Sequence, residues 1–129
     1  MFVAAQALAA KADLGIKLHK MYKDGAELAK VEPLITRAID AVKKLHNLHR
    51  DFWFTVNNPM GWEIFDLRYG AVLCRLETAL LRFKDYCSGK IPNIPELEEK
   101  QLYYNGAKEM PMEINYPRIV SASHVETVK

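Results

Sequence analysis

Two histidines, His46 and His49, stand three residues apart in a segment with helical periodicity. Side chains at that spacing lie on one side of an α-helix, and imidazole nitrogens are common zinc ligands. Only two ligands are local, however, and no Asp or Glu stands where a di-metal helical bundle would place one. A pair that makes hydrogen bonds at a bundle end is the more ordinary interpretation. Metal or small-ligand binding through His46 and His49 is kept as the alternative hypothesis.

The acidic residues do not form a recognisable catalytic arrangement either. Asp66 and Arg68 are two apart on one predicted helix, so they do not face each other, and each must find its partner elsewhere. The run Glu96, Glu98 and Glu99 is typical of a solvated helix start, whereas glycosidases set two carboxylates about 5–9 Å apart in a cleft. No Ser–His–Asp arrangement, phosphate-binding glycine loop or CxxC pattern occurs. The residues predict no catalytic site and no cofactor.

Aromatic residues are more informative. Phe52, Trp53 and Phe54 are consecutive, so they cannot all point into one core, and Trp62 and Phe65 follow just past a turn. Large aromatic side chains therefore collect on more than one side of a bundle end. They either fill that end or present a surface to another protein, and the second interpretation is favoured.

Apolar periodicity places these residues on three helices, at about 2–23, 26–56 and 62–88. Short connections make sequential helices antiparallel neighbours, so residues 1–89 are predicted to form an all-α, antiparallel three-helix bundle. Leu8, Ile16 and Tyr22 mark the predicted inner face of the first helix. On the third, a stripe from Trp62 to Phe83 is widened by three further residues, and both cysteines are predicted to be buried. The three widening residues are Leu67, Cys74 and Leu81.

Residues 90–129 differ in character. One short helical turn is predicted at Pro95–Gln101, followed by an extended, proline-containing tail. The tail keeps many apolar residues, which a disordered segment normally lacks, so we expect it to pack on the bundle or on a partner domain.

Bulk properties exclude several classes of function. A chain of 129 residues with a net charge of +2 suits one domain and gives no case for binding nucleic acid or a membrane surface. Cys74 and Cys87 would lie roughly 20 Å apart on one helix, too far to pair, which predicts a reduced, cytoplasmic protein. The first helix starts without a capping residue, which suggests a piece of a longer protein; a signal peptide is the minor alternative.

The run HRDFWFTVNNPMGWEIFDLRYGAVLCRLETALLRFKDYCSGKI, then PELEEKQL and YPRIVSAS, resembles the C-terminal helical region of bacterial family 20 glycoside hydrolases, which are exo-β-N-acetylhexosaminidases. Residues 4–22 resemble the helix that follows their catalytic (β/α)₈ barrel. The Asp–Glu pair that performs catalysis in that family has no counterpart here, so the resemblance implies no catalytic residue in this chain.

The resemblance implies a non-catalytic domain that packs on the barrel of the same parent protein and joins two subunits in a homodimer. In that setting a small group of residues is expected at a domain or subunit border, or close to substrate in the parent enzyme. They are Trp53, Asn57, Asn58, Trp62, Asp66 and Arg68.

Overall fold

The computed structural model describes residues 2–25 and 27–99, and within these ranges the chain is all-helical and contains no strand, which confirms the predicted class. None of the described helices is both long and apolar enough to cross a membrane. The predicted tail, from residue 100 to 129, lies outside the described ranges. The helices are α1 (Phe2–Lys11), α2 (Leu14–Lys23), α3 (Leu28–Val56), α4 (Trp62–Cys87) and α5 (Pro95–Glu98).

The two long helices, α3 and α4, run antiparallel along each other. Lys84 at the end of α4 lies 2.7 Å from Glu32 at the start of α3, and Lys43 further along α3 lies 3.8 Å from Glu77. These ion pairs are half-exposed and contribute little to stability. The buried residues between the helices contribute far more: they are Val31, Ile35, Ala38, Ile39 and Val42 on α3, with Leu76 and Phe83 on α4.

The prediction of one continuous helix over residues 2–23 is wrong. The chain leaves helical geometry at Asp13, whose φ and ψ are −108° and 5°, and resumes it as α2. Asp13 and Gly15 are both poor helix formers, and they stand on either side of the new start. Both short helices pack against α3, so the interruption lets the segment follow the surface of the long helix.

The predicted inner face of this segment is confirmed at Tyr22, which packs against the core, and is wrong at Leu8 and Ile16. Leu14 and Leu18 are buried, whereas Leu8 is 67% exposed and Ile16 is 76% exposed. The break at Asp13 changes the helical phase, so a periodicity that runs through it assigns the wrong residues to the core.

The segment after α4 is fastened to the bundle through Tyr22. The Tyr22 hydroxyl donates a hydrogen bond to Glu98 on α5 at 2.5 Å and accepts one from the backbone N–H of Ile94 at 3.1 Å. Asn93 also donates to Glu98, at 2.7 Å. Ile94, only 3% exposed, completes the core beneath these bonds. The pKa of Glu98 is lowered because Tyr22, and next Asn93, donate to its carboxylate.

Truncating a core residue and an exposed residue of the same type tests this assignment of faces. Ile35→Ala removes a fully buried side chain and should lower the free energy of unfolding by about 2–5 kcal/mol. Ile16→Ala should change it by no more than about 0.5 kcal/mol. Urea denaturation measures both, and equal losses would contradict the core described above.

Tyr22→Phe should remove part of the pH dependence of stability. The pKa of Glu98 is lower in the folded chain than its ordinary value of 4.5. The stability that the Glu98 carboxylate contributes is therefore fully present above pH 4.5 and is lost as the pH falls through the pKa of the folded state. The difference in Tm between wild type and Tyr22→Phe should therefore shrink between about pH 6 and about pH 3 at low salt. Tyr86→Phe is the matched control, and a difference that stays constant over this range would contradict the assignment.

Candidate functional site

The turn between α3 and α4 is built by Asn58 and Gly61. The side-chain oxygen of Asn58 accepts a hydrogen bond from the backbone N–H of Met60 at 3.1 Å, and the backbone carbonyl of Asn58 accepts the Trp53 indole N–H at 2.9 Å. Gly61 has φ of +98°, a left-handed conformation that favours glycine. The carboxylate of Glu63 then accepts the Gly61 N–H at 2.8 Å. The turn thus aligns α4 against α3 and holds Trp53 beside it.

An aromatic cluster fills the end of the α3–α4 pair next to this turn. Trp62 is 4% exposed and lies at its centre, stacked on Phe65 with ring centroids 5.4 Å apart. Trp53 and His49 approach Trp62 from α3, at centroid distances of 6.0 and 5.1 Å. Offset and edge-to-face pairs of this kind are worth about 0.5–1.5 kcal/mol each beyond the area that they bury.

A polar network crosses the cluster at Asp66. One oxygen of Asp66, Oδ1, accepts the indole N–H of Trp62 at 2.8 Å and lies 2.8 Å from Nε2 of His46 on α3. His46 donates to that oxygen whenever Nε2 carries a proton. The side chain of Asp66 is 54% exposed, so the carboxylate also faces solvent.

A second polar contact joins the same two helices one turn away. Nδ1 of His49 and the hydroxyl of Tyr69 are 3.1 Å apart. Burial raises the pKa of Tyr69, because the phenolate is poorly solvated there, so the hydroxyl keeps its proton at neutral pH. His46 and His49 therefore each face a specific partner on α4.

The structure brings together four of the six residues that the sequence singled out as a site: Trp53, Asn58, Trp62 and Asp66. Asn57 ends α3, where its N–H donates to the Trp53 carbonyl at 2.8 Å, and its side chain is exposed. Arg68 is exposed on α4, outside the aromatic cluster. The six residues thus lie at and around one turn, and they do not line a single pocket.

Sequence reasoning missed two functional parts of this region, the Tyr69 hydroxyl and the Glu63 cap. The antiparallel register set by the turn pairs His49 with Tyr69, and that register could have been estimated from the turn position. Glu63 follows the capping glycine by two residues, where an acidic side chain meets the positive end of a helix.

This arrangement orients helices and presents a surface. Within residues 2–25 and 27–99, no three His, Cys, Asp or Glu side chains converge as a metal site would require. One ring nitrogen of His46 contacts Asp66, and one ring nitrogen of His49 contacts Tyr69. These contacts match the interpretation that the two histidines make hydrogen bonds at the end of the bundle. Metal binding through His46 and His49 thus stays a hypothesis that rests on two ligands.

Beside the cluster, an open apolar groove of about 580 Å³ separates the start of α1 from the end of α3. Val3 and Ala4 form one wall, and Leu48 and Phe52 form the other, with Tyr69 contributing from α4. Phe52 is 63% exposed and, with Leu48, forms a contiguous apolar surface along this groove.

Comparison with known protein families shows which family this helical chain belongs to. Residues 3–116 match the family described as Glycoside Hydrolase 20C C-terminal domain. The chain belongs to this family. No curated protein and no solved structure matches the sequence.

Membership confirms the resemblance that was stated from the run around the α3–α4 turn. The matched residues include all five helices of this glycoside hydrolase 20C C-terminal domain and extend beyond the described part of the chain. The domain is a non-catalytic part of a longer protein that also contains a catalytic domain.

Removing the Asp66 carboxylate should destabilise the aromatic cluster. Asp66→Ala leaves the Trp62 indole N–H without its acceptor in a nearly buried position, which should cost about 1–3 kcal/mol in the free energy of unfolding. Asp51→Ala removes an exposed carboxylate paired with Arg50 and should cost no more than about 0.5 kcal/mol. Tryptophan fluorescence during urea denaturation reports both, and equal costs would contradict the network.

Proposed function

We propose that this domain packs on the catalytic (β/α)₈ barrel of a β-N-acetylhexosaminidase and joins two subunits of that enzyme. The family membership supports this role, since a C-terminal domain accompanies a catalytic domain in one chain. The observation that carries it is the set of large apolar side chains left exposed, which marks surfaces for protein partners. In the groove and on the turn these are Leu48, Phe52, Phe54, Val56 and Met60.

The apolar groove is the proposed contact with the barrel. Val3, where the family match begins, lines the groove, so a preceding domain of the parent would enter the structure beside it. Covalent connection keeps that domain at high effective concentration next to the groove. A barrel side that covers Leu48 and Phe52 would remove the exposed apolar surface found there.

The turn residues are proposed to lie at the edge of this contact. Trp53, Asn57, Asn58 and Asp66 surround the turn, and the last three have exposed polar side chains, as at the polar rim of a protein interface. Trp62 is buried by its own chain and is proposed to position them. Arg68 is assigned to the subunit contact, because it faces away from the cluster.

Two further parts of the proposal concern arrangement and location. We propose that α1 and α2 together form the first arm of an antiparallel three-helix bundle whose other arms are α3 and α4. The parent is proposed to be cytoplasmic, since Cys74 and Cys87 stand on one helix and cannot form an intramolecular disulfide there.

Substitution of Phe52 in the parent enzyme and in the chain alone tests the barrel contact. Phe52→Ser should destabilise the parent by about 1.5–3 kcal/mol, the value of burying a phenylalanine, and change the isolated chain much less because Phe52 is exposed there. Differential scanning calorimetry of both proteins measures the two effects.

Ile16→Ser is the matched control, since Ile16 is 76% exposed and does not line the groove. Equal Phe52→Ser effects in parent and isolated chain would remove the groove from the barrel contact. Hydrolysis of an aryl N-acetylglucosaminide by the isolated chain at an enzyme-like rate would contradict the non-catalytic role itself.

A further inference from the structure

Helix α4 carries two rows of residues, and only one of them faces its own core. The inner row follows Trp62, Phe65, Tyr69, Val72 and Leu76, at alternating spacings of three and four. A second row with the same alternation begins two residues later. Each residue advances an α-helix by about 100°, so an offset of two residues, about 200°, puts the second row nearly opposite the first. We call it the outer seam: Ile64, Leu67, Ala71, Cys74, Thr78 and Leu81.

Every residue of the outer seam is exposed, which corrects the prediction that Leu67, Cys74 and Leu81 widen the core stripe and that both cysteines are buried. Ile64, Leu67 and Leu81 are 42%, 43% and 55% exposed. A stripe two residues out of phase with the core stripe belongs to the far side of the helix, where nothing in the described part of the chain covers it.

The outer seam has the composition of a two-stranded coiled coil. Its spacing makes Ile64, Ala71 and Thr78 the a positions of a heptad, and Leu67, Cys74 and Leu81 the d positions. Among parallel coiled coils, β-branched residues at a together with leucine at d favour two strands over three or four. Two of the three a residues are β-branched, and two of the three d residues are leucine.

The charges on both sides of the seam select a parallel orientation. The e positions are Arg68, Arg75 and Arg82, and the g positions that carry charge are Glu63, Glu77 and Lys84; Lys84 already lies 2.7 Å from Glu32 of its own chain. In a parallel pair, each g residue faces an e residue of the other helix, so glutamate meets arginine on both sides. In an antiparallel pair e faces e, which would set arginine against arginine, and like charges repel.

Some of these charges already have partners within the chain. Arg82 lies 3.1 Å from Glu96, and Glu77 lies 3.8 Å from Lys43. Glu63 accepts the Gly61 N–H through one oxygen only, and Arg68 is exposed. The pair of Glu63 with Arg68 of the second copy is therefore the strongest contact that the flanks provide between copies.

We infer that the outer seam of α4 pairs with the outer seam of a second copy of this chain, parallel and in register. The inference rests on the proposed subunit-joining role and names the face and orientation through which it is performed. In this arrangement the two Cys74 side chains face each other across the two-fold axis. Cys87 occupies a c position, away from the seam, so the two Cys87 side chains are held apart.

Disulfide crosslinking of the full chain tests the register. With copper(II) phenanthroline as oxidant, two facing thiols lose their protons and give two electrons to copper as the S–S bond forms. A Cys87→Ser variant, which retains Cys74, should give a covalent dimer, whereas Cys74→Ser should give none. Facing cysteines must bring their Cα atoms within about 7 Å, and an in-register parallel pair satisfies that geometry at Cys74. Absence of the Cys74 crosslink overturns the inference.

Sedimentation velocity of the same chain separates the seam from the wider proposal. Leu67→Glu, on the seam, should shift the chain to monomer, whereas Leu8→Glu, at an exposed leucine on α1, should leave the dimer intact. A dimer that survives Leu67→Glu and fails to crosslink through Cys74 would overturn the seam but keep the subunit-joining role. A wild-type chain and a parent enzyme that are both monomeric would overturn both. Loss of dimer in Leu67→Glu without a Cys74 crosslink would overturn the parallel orientation.

Discussion

Burial of one apolar stripe of α3 against the inner row of α4 is the constraint on which the rest of the structure depends. Val31, Ile35 and Ala38 are fully buried in the core cluster, and the contacts Glu32–Lys84 and His49–Tyr69 show the register of α3 against α4. The turn at Asn58 and Gly61 favours the same register, because its length and the left-handed conformation of Gly61 fix where α4 begins. Agreement between a local turn and a long-range core is typical of sequences that specify one fold.

The polar contacts of the bundle end follow from that register. Once α4 is set against α3, His46 lies opposite Asp66 and His49 opposite Tyr69, so polar groups among aromatic rings find hydrogen-bond partners. A half-buried imidazole or indole without a partner would cost free energy, and the network avoids that cost. The same residues that first suggest catalysis or metal binding are thereby explained as parts of a helix junction with one exposed carboxylate.

Large apolar side chains are exposed on two surfaces of the described part of this domain. The groove beside α1 and the outer seam of α4 lie on different sides of the α3–α4 pair, and each carries large aliphatic or aromatic side chains. These two surfaces are the ones that we propose contact a catalytic domain of the same chain and a second subunit. A single helix can serve both core and interface because its 3.6-residue repeat accommodates two apolar rows on opposite faces.

The sequence by itself determined the helical class, the bounds of α3 and α4 to within about two residues, the turn residues and the family. Strong periodicity and local turn chemistry are short-range signals, so they can be read without knowing the fold. Only the tertiary structure decided that α1 and α2 are separate, that Leu14 rather than Ile16 is buried, and that Cys74 faces outward. These three features depend on which side of each helix packs against a neighbour. When a helix carries two apolar rows, the sequence alone does not show which row is buried.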